Sequence, residues 1–280
     1  MSYNSRSIPK FEYIVHKFLL FVLILFLISG CNKRHPFVVV IPSYNNINYY
    51  KKNLDSVRQQ LYKNYRIIYI DDNSSDNTGN AVERYIHDNK LTNITFIKNN
   101  TRLGALANQY RALQLCNDDE IVIHLDGDDW FAHSKVLQRI NHEYCSKDIW
   151  LTYGQFRNWP TGKCGWCKFI PDEVIKKNSF REFGFCSAQP RTFYAWLARK
   201  IDVRDLMDKD GAFYRVAGDT ALMFPMLEMA GDRFSFIQDV IYIRNVETPL
   251  NDFKVNKKEQ EQVTMEIRKK RKYKKIGGFK

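Results

Sequence analysis

Ile121-Val122-Ile123-His124-Leu125-Asp126-Gly127-Asp128-Asp129-Trp130 is an apolar run that stops in three carboxylates within four residues. The run reads as a buried strand, and buried charge is costly unless it is paired or binds a metal. A strand end carrying Asp-x-Asp-Asp therefore suits a hard divalent cation, Mg²⁺ or Mn²⁺, which prefers oxygen ligands. Ligands of open α/β sheets bind beyond the carboxyl ends of the strands, where these carboxylates fall. A loop of solvated aspartates is the bland alternative.

The upstream segments repeat the pattern. Phe37 to Ile41 is a β-branched run that stops at Pro42-Ser43-Tyr44-Asn45-Asn46, which is turn chemistry. Tyr49 to Tyr62 has Leu54, Val57 and Leu61 at helical spacing. Arg66 to Ile70 is a second strand ending at Asp71-Asp72, and Ser75 or Asp76 is placed to cap a helix carrying Val82, Tyr85 and Ile86. Ile94 to Ile97 is a third strand, and a helix from about Gly104 to Leu115 leads into the strand ending at Asp126. Strands alternating with helices predict an α/β fold with a mostly parallel central sheet flanked by helices. Tyr44, Asp71, Asp72, Asp126, Asp128 and Asp129 then share one rim, and Arg102 approaches it.

Four motifs in order carry a resemblance: Val-Val-Val-Ile-Pro-Ser-Tyr-Asn, Ile-Ile-Tyr-Ile-Asp-Asp-Asn-Ser-Ser-Asp-Asn-Thr, Asn-Thr-Arg-Leu-Gly-Ala-Leu-Ala-Asn and Leu-Asp-Gly-Asp-Asp. Together they resemble the family 2 glycosyltransferases with the Rossmann-like GT-A fold, closely over Pro36 to Trp130 and more loosely to about Asn251. The resemblance implies a nucleotide-diphosphate sugar donor, with a UDP-sugar favoured, a Mn or Mg divalent cation, and hexosyltransferase-like transfer to an acceptor hydroxyl. It implies donor-binding roles for Pro42, Tyr44, Asp71, Arg102, Asp126 and Gly127. Tyr44 would stack on the base, Asp71 would accept the base N–H, and Arg102 would lie near the diphosphate, whose geometry a guanidinium suits. Asp128 would be the direct metal ligand, with Asp126 reaching the ribose or a metal-bound water. Tyr44 and Arg102 also read as a surface aromatic and a solvated base.

Inverting transfer needs a base, which a positioned carboxylate supplies. The family carries an acidic residue roughly 90 residues after the metal motif, at a helix start; Asp219, in Ala217-Gly218-Asp219-Thr220, is 91 residues beyond Asp128. A helix N-cap for Thr220 to Met229 is the competing role for Asp219. Many relatives have a metal-facing His after the last strand, where Val240-Ile241-Tyr242-Ile243-Arg244-Asn245 offers Asn245. Two rival functions stay open. One is a degenerate sugar-nucleotide-binding protein. The other is a phosphatase using Asp126 as nucleophile, which three preceding strands and Trp130 disfavour.

The net charge of +12 over 280 residues sits at the ends. Residues 1–35 hold five Lys/Arg against one Glu, and residues 252–280 hold eleven against four acids, leaving +1 for the 216 residues between. Basicity confined to the ends gives no nucleic-acid groove, and no nucleic-acid partner is expected. The expected division is an N-terminal hydrophobic segment (1–35), a GT-A domain (36–251) and a basic tail (252–280). Phe18 to Ile28 is uninterrupted apolar sequence, short for the about 20 residues of a spanning helix. A single-pass anchor helix is favoured, with a cleaved signal and a lipoprotein signal at Cys31 as alternatives. The favoured arrangement is membrane-associated with the catalytic domain on the cytosolic side. The tail run Arg268 to Lys275 suits an anionic membrane surface, with a nucleic-acid or localisation signal as the rival and a solvated, disordered tail as the bland alternative. The acceptor, whether glycan, lipid or protein, is not specified. Cys164-Gly165-Trp166-Cys167 lacks a second pair for zinc and reads as free thiols. The aromatic stretch Pro190 to Trp196 suits a sugar acceptor or the start of a packed helix, the second being favoured.

Overall fold

Seven consecutive residues of the first strand, Phe37–Ser43 (β1), are buried, as a central parallel strand covered on both faces requires. The computed structural model describes residues 33–248 and 256–278. Around β1 lie β2 (Tyr65–Asp71), β3 (Ile94–Lys98) and β4 (Ile121–His124), all parallel, in the order β3-β2-β1-β4. Ser43 is in register with Asp71, and Asp71 with Lys98, so the polar strand ends form one rim. Helices α1 (Tyr50–Arg58), α2 (Thr78–Asp88) and α3 (Ala105–Leu113) connect these strands. Asp76 does serve the start of α2, accepting the Thr78 N–H at 3.0 Å.

The second half of the sheet departs from the expected parallel pattern. After the two-residue β5 (Trp130–Phe131) and α4 (Val136–Ser146) come β6 (Leu151–Trp159), the short helices α5 (Asp172–Lys176) and α6 (Phe180–Phe183), β7 (Thr192–Tyr194) and α7 (Ala195–Arg199). Helix α8 (Gly218–Ala230), β8 (Phe234–Asn245) and α9 (Lys257–Lys269) follow. β7 runs antiparallel to both β4 and β6, β8 is parallel to β6, and β5 is antiparallel to β8. The sheet is therefore mixed. Thr192–Tyr194 is a strand, where the favoured expectation from the sequence is a helix start. Its β-branched and aromatic residues fill the place beside β4, and the helix begins only at Ala195.

Helix α8 is apolar all round, with Thr220 to Ala230 entirely buried, so it shows no amphipathic stripe. Its buried Glu228 is clasped by both arms of the buried Arg181, at 2.6 and 2.9 Å. The C-terminal segment closes over this pair. Ile267 of α9 is buried, Arg181 donates to its carbonyl at 2.6 Å, and the Tyr273 N–H donates to Glu228 Oε2 at 2.9 Å. The Ile276 N–H adds a bond to the Met229 carbonyl at 3.0 Å. Residues 256–278 are thus a strap on the domain rather than the detached tail that their charge suggested, because their few apolar side chains and backbone groups complete the α8 surface. The compact unit runs from His35 to Lys280. The apolar run Phe18 to Ile28 and the anchor helix expected there lie outside the described residues. Among the described residues no helix is long and apolar enough to cross a membrane.

Candidate active site

Three backbone devices shape the turn after β4. Gly127 N–H donates to the Pro42 carbonyl at 3.1 Å, and Asp129 N–H to the Asp126 carbonyl at 3.0 Å. Asn53, fully buried on α1, donates through Nδ2 to the carbonyls of Asp126 (2.9 Å) and Asp129 (2.8 Å). Gly127 has no room for a side chain: a Cβ there would stand 2.6 Å from Ser43 Oγ and 2.7 Å from Asn46 Nδ2. Pro42 and Gly127 therefore act by holding the turn against β1.

The three carboxylates do not behave alike. Asp129 is buried and structural, accepting the Tyr242 hydroxyl at 2.6 Å and the Asn245 N–H at 2.7 Å. Burial, then the charges of Asp128 and Asp126, push it far above the ordinary carboxylate range. Asp126 is partly exposed and accepts Gln189 Nε2 at 3.1 Å. Burial first, then the Asp126 charge, push Asp128 up to about 6. Two hard oxygen donors, both partly exposed and repelling each other, fit a divalent cation. Among the described residues no set of three His, Cys, Asp or Glu side chains forms a metal cluster. Both Asp129 oxygens are already hydrogen-bonded, which sets Asp129 apart from the Asp126–Asp128 pair.

Asn245 is brought to this cluster as expected, but through its backbone. Its side chain is buried, with Oδ1 accepting the Glu247 N–H at 2.9 Å and Nδ2 lacking a partner.

The rim beyond β1, β2 and β3 gathers the other sequence candidates. The Arg102 guanidinium lies over the Tyr44 ring, 3.8 Å from its centroid. Asp71 is fully buried; Oδ2 accepts the Ser74 N–H at 3.3 Å, while Oδ1 has no partner. Its neighbour Asp72 anchors the Arg102 loop, accepting the N–H groups of Leu103 and Gly104 at 2.8 Å each and Asn99 Nδ2 at 2.9 Å. Burial alone would raise Asp72, but these donors hold it below the usual range.

Asp219 lies in the first turn of α8, not at its N-cap, which is Ala217. It accepts the Thr220 N–H at 2.8 Å and stands 3.3 Å from Arg191 Nη1. That contact is an ion pair without hydrogen-bond alignment, so the buried Arg191 retains Nε and Nη1 without hydrogen-bond partners. Gln189, two residues earlier, touches Asp126, so one short segment links the carboxylate pair to Asp219. Sequence reasoning placed Asp72 on the rim without its role in anchoring the Arg102 loop, and missed Asn53, Gln189 and Arg191. The only available signal was a polar residue inside an apolar stretch: Asn53 beside Leu54, and Arg191 beside the aromatic run.

The profile of Glycosyl transferase family 2 matches residues 38–192, more than half of the chain. The chain belongs to glycosyl transferase family 2. Within the matched stretch lie Tyr44, Asp71, Arg102, Asp126, Asp128 and Arg191; Asp219 and Asn245 lie beyond it. A curated relative, the Escherichia coli UDP-Glc:alpha-D-GlcNAc-diphosphoundecaprenol beta-1,3-glucosyltransferase WfaP, is 30% identical over 118 residues, 42% of this chain and 45% of that protein. The chain thus spans less than half the length of that relative. Among solved structures, S. aureus TarS (residues 1–349) with UDP-GlcNAc gives a TM-score of 0.59 at 19% identity, covering 76% of this chain and 59% of that one. The Pyrobaculum calidifontis mannosyltransferase PcManGT with GDP-Man and Mn²⁺ also gives 0.59, at 18% identity, covering 91% and 73%. At these identities the likeness is one of fold, and the mixed sheet with flanking helices matches the GT-A fold.

The Cys164 and Cys167 thiols are free, the first exposed and the second buried, and burial raises the second to about 12.

Proposed function

We propose that this family 2 protein transfers a sugar from a nucleotide-diphosphate sugar, a UDP-sugar by preference, to an acceptor hydroxyl with inversion. The carrying observation is the assembly on one rim of Tyr44, Arg102 and Asp71 with the Asp126–Asp128 pair and Asp219. In this reading the Tyr44 ring stacks on the base and Asp71 Oδ1 accepts the base N–H. Arg102 leaves the Tyr44 ring for the diphosphate; an exposed cation–π contact is worth only about 0.5–1 kcal/mol, so the exchange is cheap. Asp128 and Asp126 hold a divalent cation, Mn²⁺ or Mg²⁺, which supplies positive charge against the departing diphosphate. Asp219 takes the acceptor proton while the acceptor oxygen bonds to the anomeric carbon and the bond to the diphosphate breaks on the opposite face. Arg191 orients Asp219, and Gln189 orients Asp126.

The names of the curated relatives support a lipid-linked acceptor, since WfaP acts on a diphosphoundecaprenol-linked sugar. A membrane-associated enzyme with its domain on the cytosolic side, anchored through its N-terminal segment, fits such an acceptor and a cytosolic donor. The test is turnover of UDP-sugars by the full-length chain with Mn²⁺ and lipid-linked sugar acceptors. One second reading has a specific observation behind it: the buried neutral Asn245, where relatives place a metal-facing His, suits a protein that binds the donor without turnover. UDP-sugar binding with no transfer and no hydrolysis would select that reading.

A further inference from the structure

Two large apolar side chains stand out of the loop after β6. Trp166 is 49% exposed and Phe169 60% exposed. Neither is adrift: Trp166 sits edge-on to Phe185 (5.9 Å between centroids) and Phe156 (6.2 Å), and Phe169 sits edge-on to Phe236 (5.0 Å). Ordered aromatic rings held half out of a surface are anchors awaiting an apolar medium with a polar boundary.

The surroundings are basic. Lys168 Nζ lies 4.9 Å from the Phe183 ring centre, and Arg268 of α9 reaches Gly184, where a Cβ would meet its Nη2 at 3.5 Å. The strap of residues 256–278 carries nine Lys/Arg against three Glu. Lys270 is tied to the carbonyls of Arg204 and Met207, Lys272 to Glu182, and Lys275 to Asp232. That leaves Lys257, Lys258, Arg268, Lys269, Arg271 and Lys274 exposed, with no ion pair among the described residues. Folding has consumed part of the basic run and left the rest exposed, with Arg268 beside Gly184, next in the chain to the Phe185 ring that Trp166 packs on.

We propose that this face, with Trp166 and Phe169 as anchors, Lys168 and Arg268 beside the loop and the other exposed strap bases adding charge, docks on the surface of an anionic lipid bilayer. Aromatic rings settle at the headgroup level, and a cluster of bases is drawn to anionic lipid and released by salt. The face belongs to the folded domain, so it acts in addition to any anchor in residues 1–35. The docking does not rest on the transfer chemistry, and it is read without donor or acceptor.

The test uses the full-length chain bound to vesicles whose phosphatidylcholine carries brominated acyl chains, with and without phosphatidylglycerol. The Trp166 signal is isolated as the difference between the unaltered chain and Trp166→Phe. Quenching of that signal is expected to be at least about twofold stronger with phosphatidylglycerol, and to weaken in high salt. A chain carrying Arg268→Gln, Lys269→Gln, Arg271→Gln and Lys274→Gln should lose the difference. Equal quenching in both kinds of vesicle, or none, overturns the proposal. So does a concentration-dependent shift of Trp166 emission without vesicles, which would assign the face to a second copy of the chain.

Discussion

Arg191 Nη1 stands 3.3 Å from Asp219 Oδ2, and the guanidinium is buried while the carboxylate is partly exposed. The pair places a fixed cation behind the proposed base. Asp219→Asn should retain UDP and Mn²⁺ affinity but lose transfer by at least ~10²-fold, the scale of general base catalysis. It should also cost about 1–3 kcal/mol of stability, because a buried guanidinium loses its counter-charge. Turnover within a few-fold of the unaltered chain, at saturating donor and acceptor, moves the base elsewhere. Glu228 is no substitute, being buried against Arg181, and Asp232 is exposed and paired with Lys275.

Asp128 gives the pH dependence. Its folded value, about 6, lies above the ordinary 3.8, so the folded protein holds this proton more tightly than the unfolded chain. Stability from this group is fully present below the unfolded value and is lost as pH rises through about 6. Asp128→Asn should therefore stabilise the metal-free protein at pH 7 by on the order of 1–3 kcal/mol, with the gain shrinking towards pH 4. The same substitution should abolish the rise in Tm that Mn²⁺ with UDP gives the unaltered chain, since an amide is a poorer ligand for a hard cation. A variant that is less stable without metal, or still stabilised by Mn²⁺, contradicts the assignment.

Gly127→Ala tests the packing of the turn. Its Cβ would meet Ser43 Oγ and Asn46 Nδ2, which are themselves bonded to each other at 3.0 Å and cannot both withdraw freely. Chemical denaturation should show a loss of about 1–3 kcal/mol, the usual cost of overpacking. Unchanged stability would mean that the turn is looser than described.

Ending the chain at residue 251 tests the strap. Arg181 would lose the carbonyls of Ile267 and Lys270, Glu228 would lose the Tyr273 N–H, and the α8 surface under Ile267 would face water. Several bonds to a buried ion pair are together worth several kcal/mol, a large part of a domain's margin of about 5–15 kcal/mol. The truncated chain should unfold well below the full-length protein in a thermal melt. Coincident melts would return the segment to the status of a tail.

By itself the sequence determined the first half of the fold and the identity of the rim. The apolar runs of β1, β2 and β4 are continuous because parallel strands are buried on both faces, and each stops at polar residues that cannot follow it inside. The family resemblance also pointed to Asn245 near the carboxylates, where its backbone N–H bonds Asp129. Only the tertiary structure decided which carboxylate faces solvent. Asp126, Asp128 and Asp129 are chemically identical, and it is Tyr242 and the Asn245 backbone, 113 and 116 residues away from Asp129, that take the third into the core. The mixed second half of the sheet and the short β7 were hidden for a similar reason, since Thr192–Tyr194 is too short to show a period. The strap was hidden by its charge: composition reports an average, whereas Ile267, Tyr273 and Ile276 fix where the segment lies through a few contacts that no average contains.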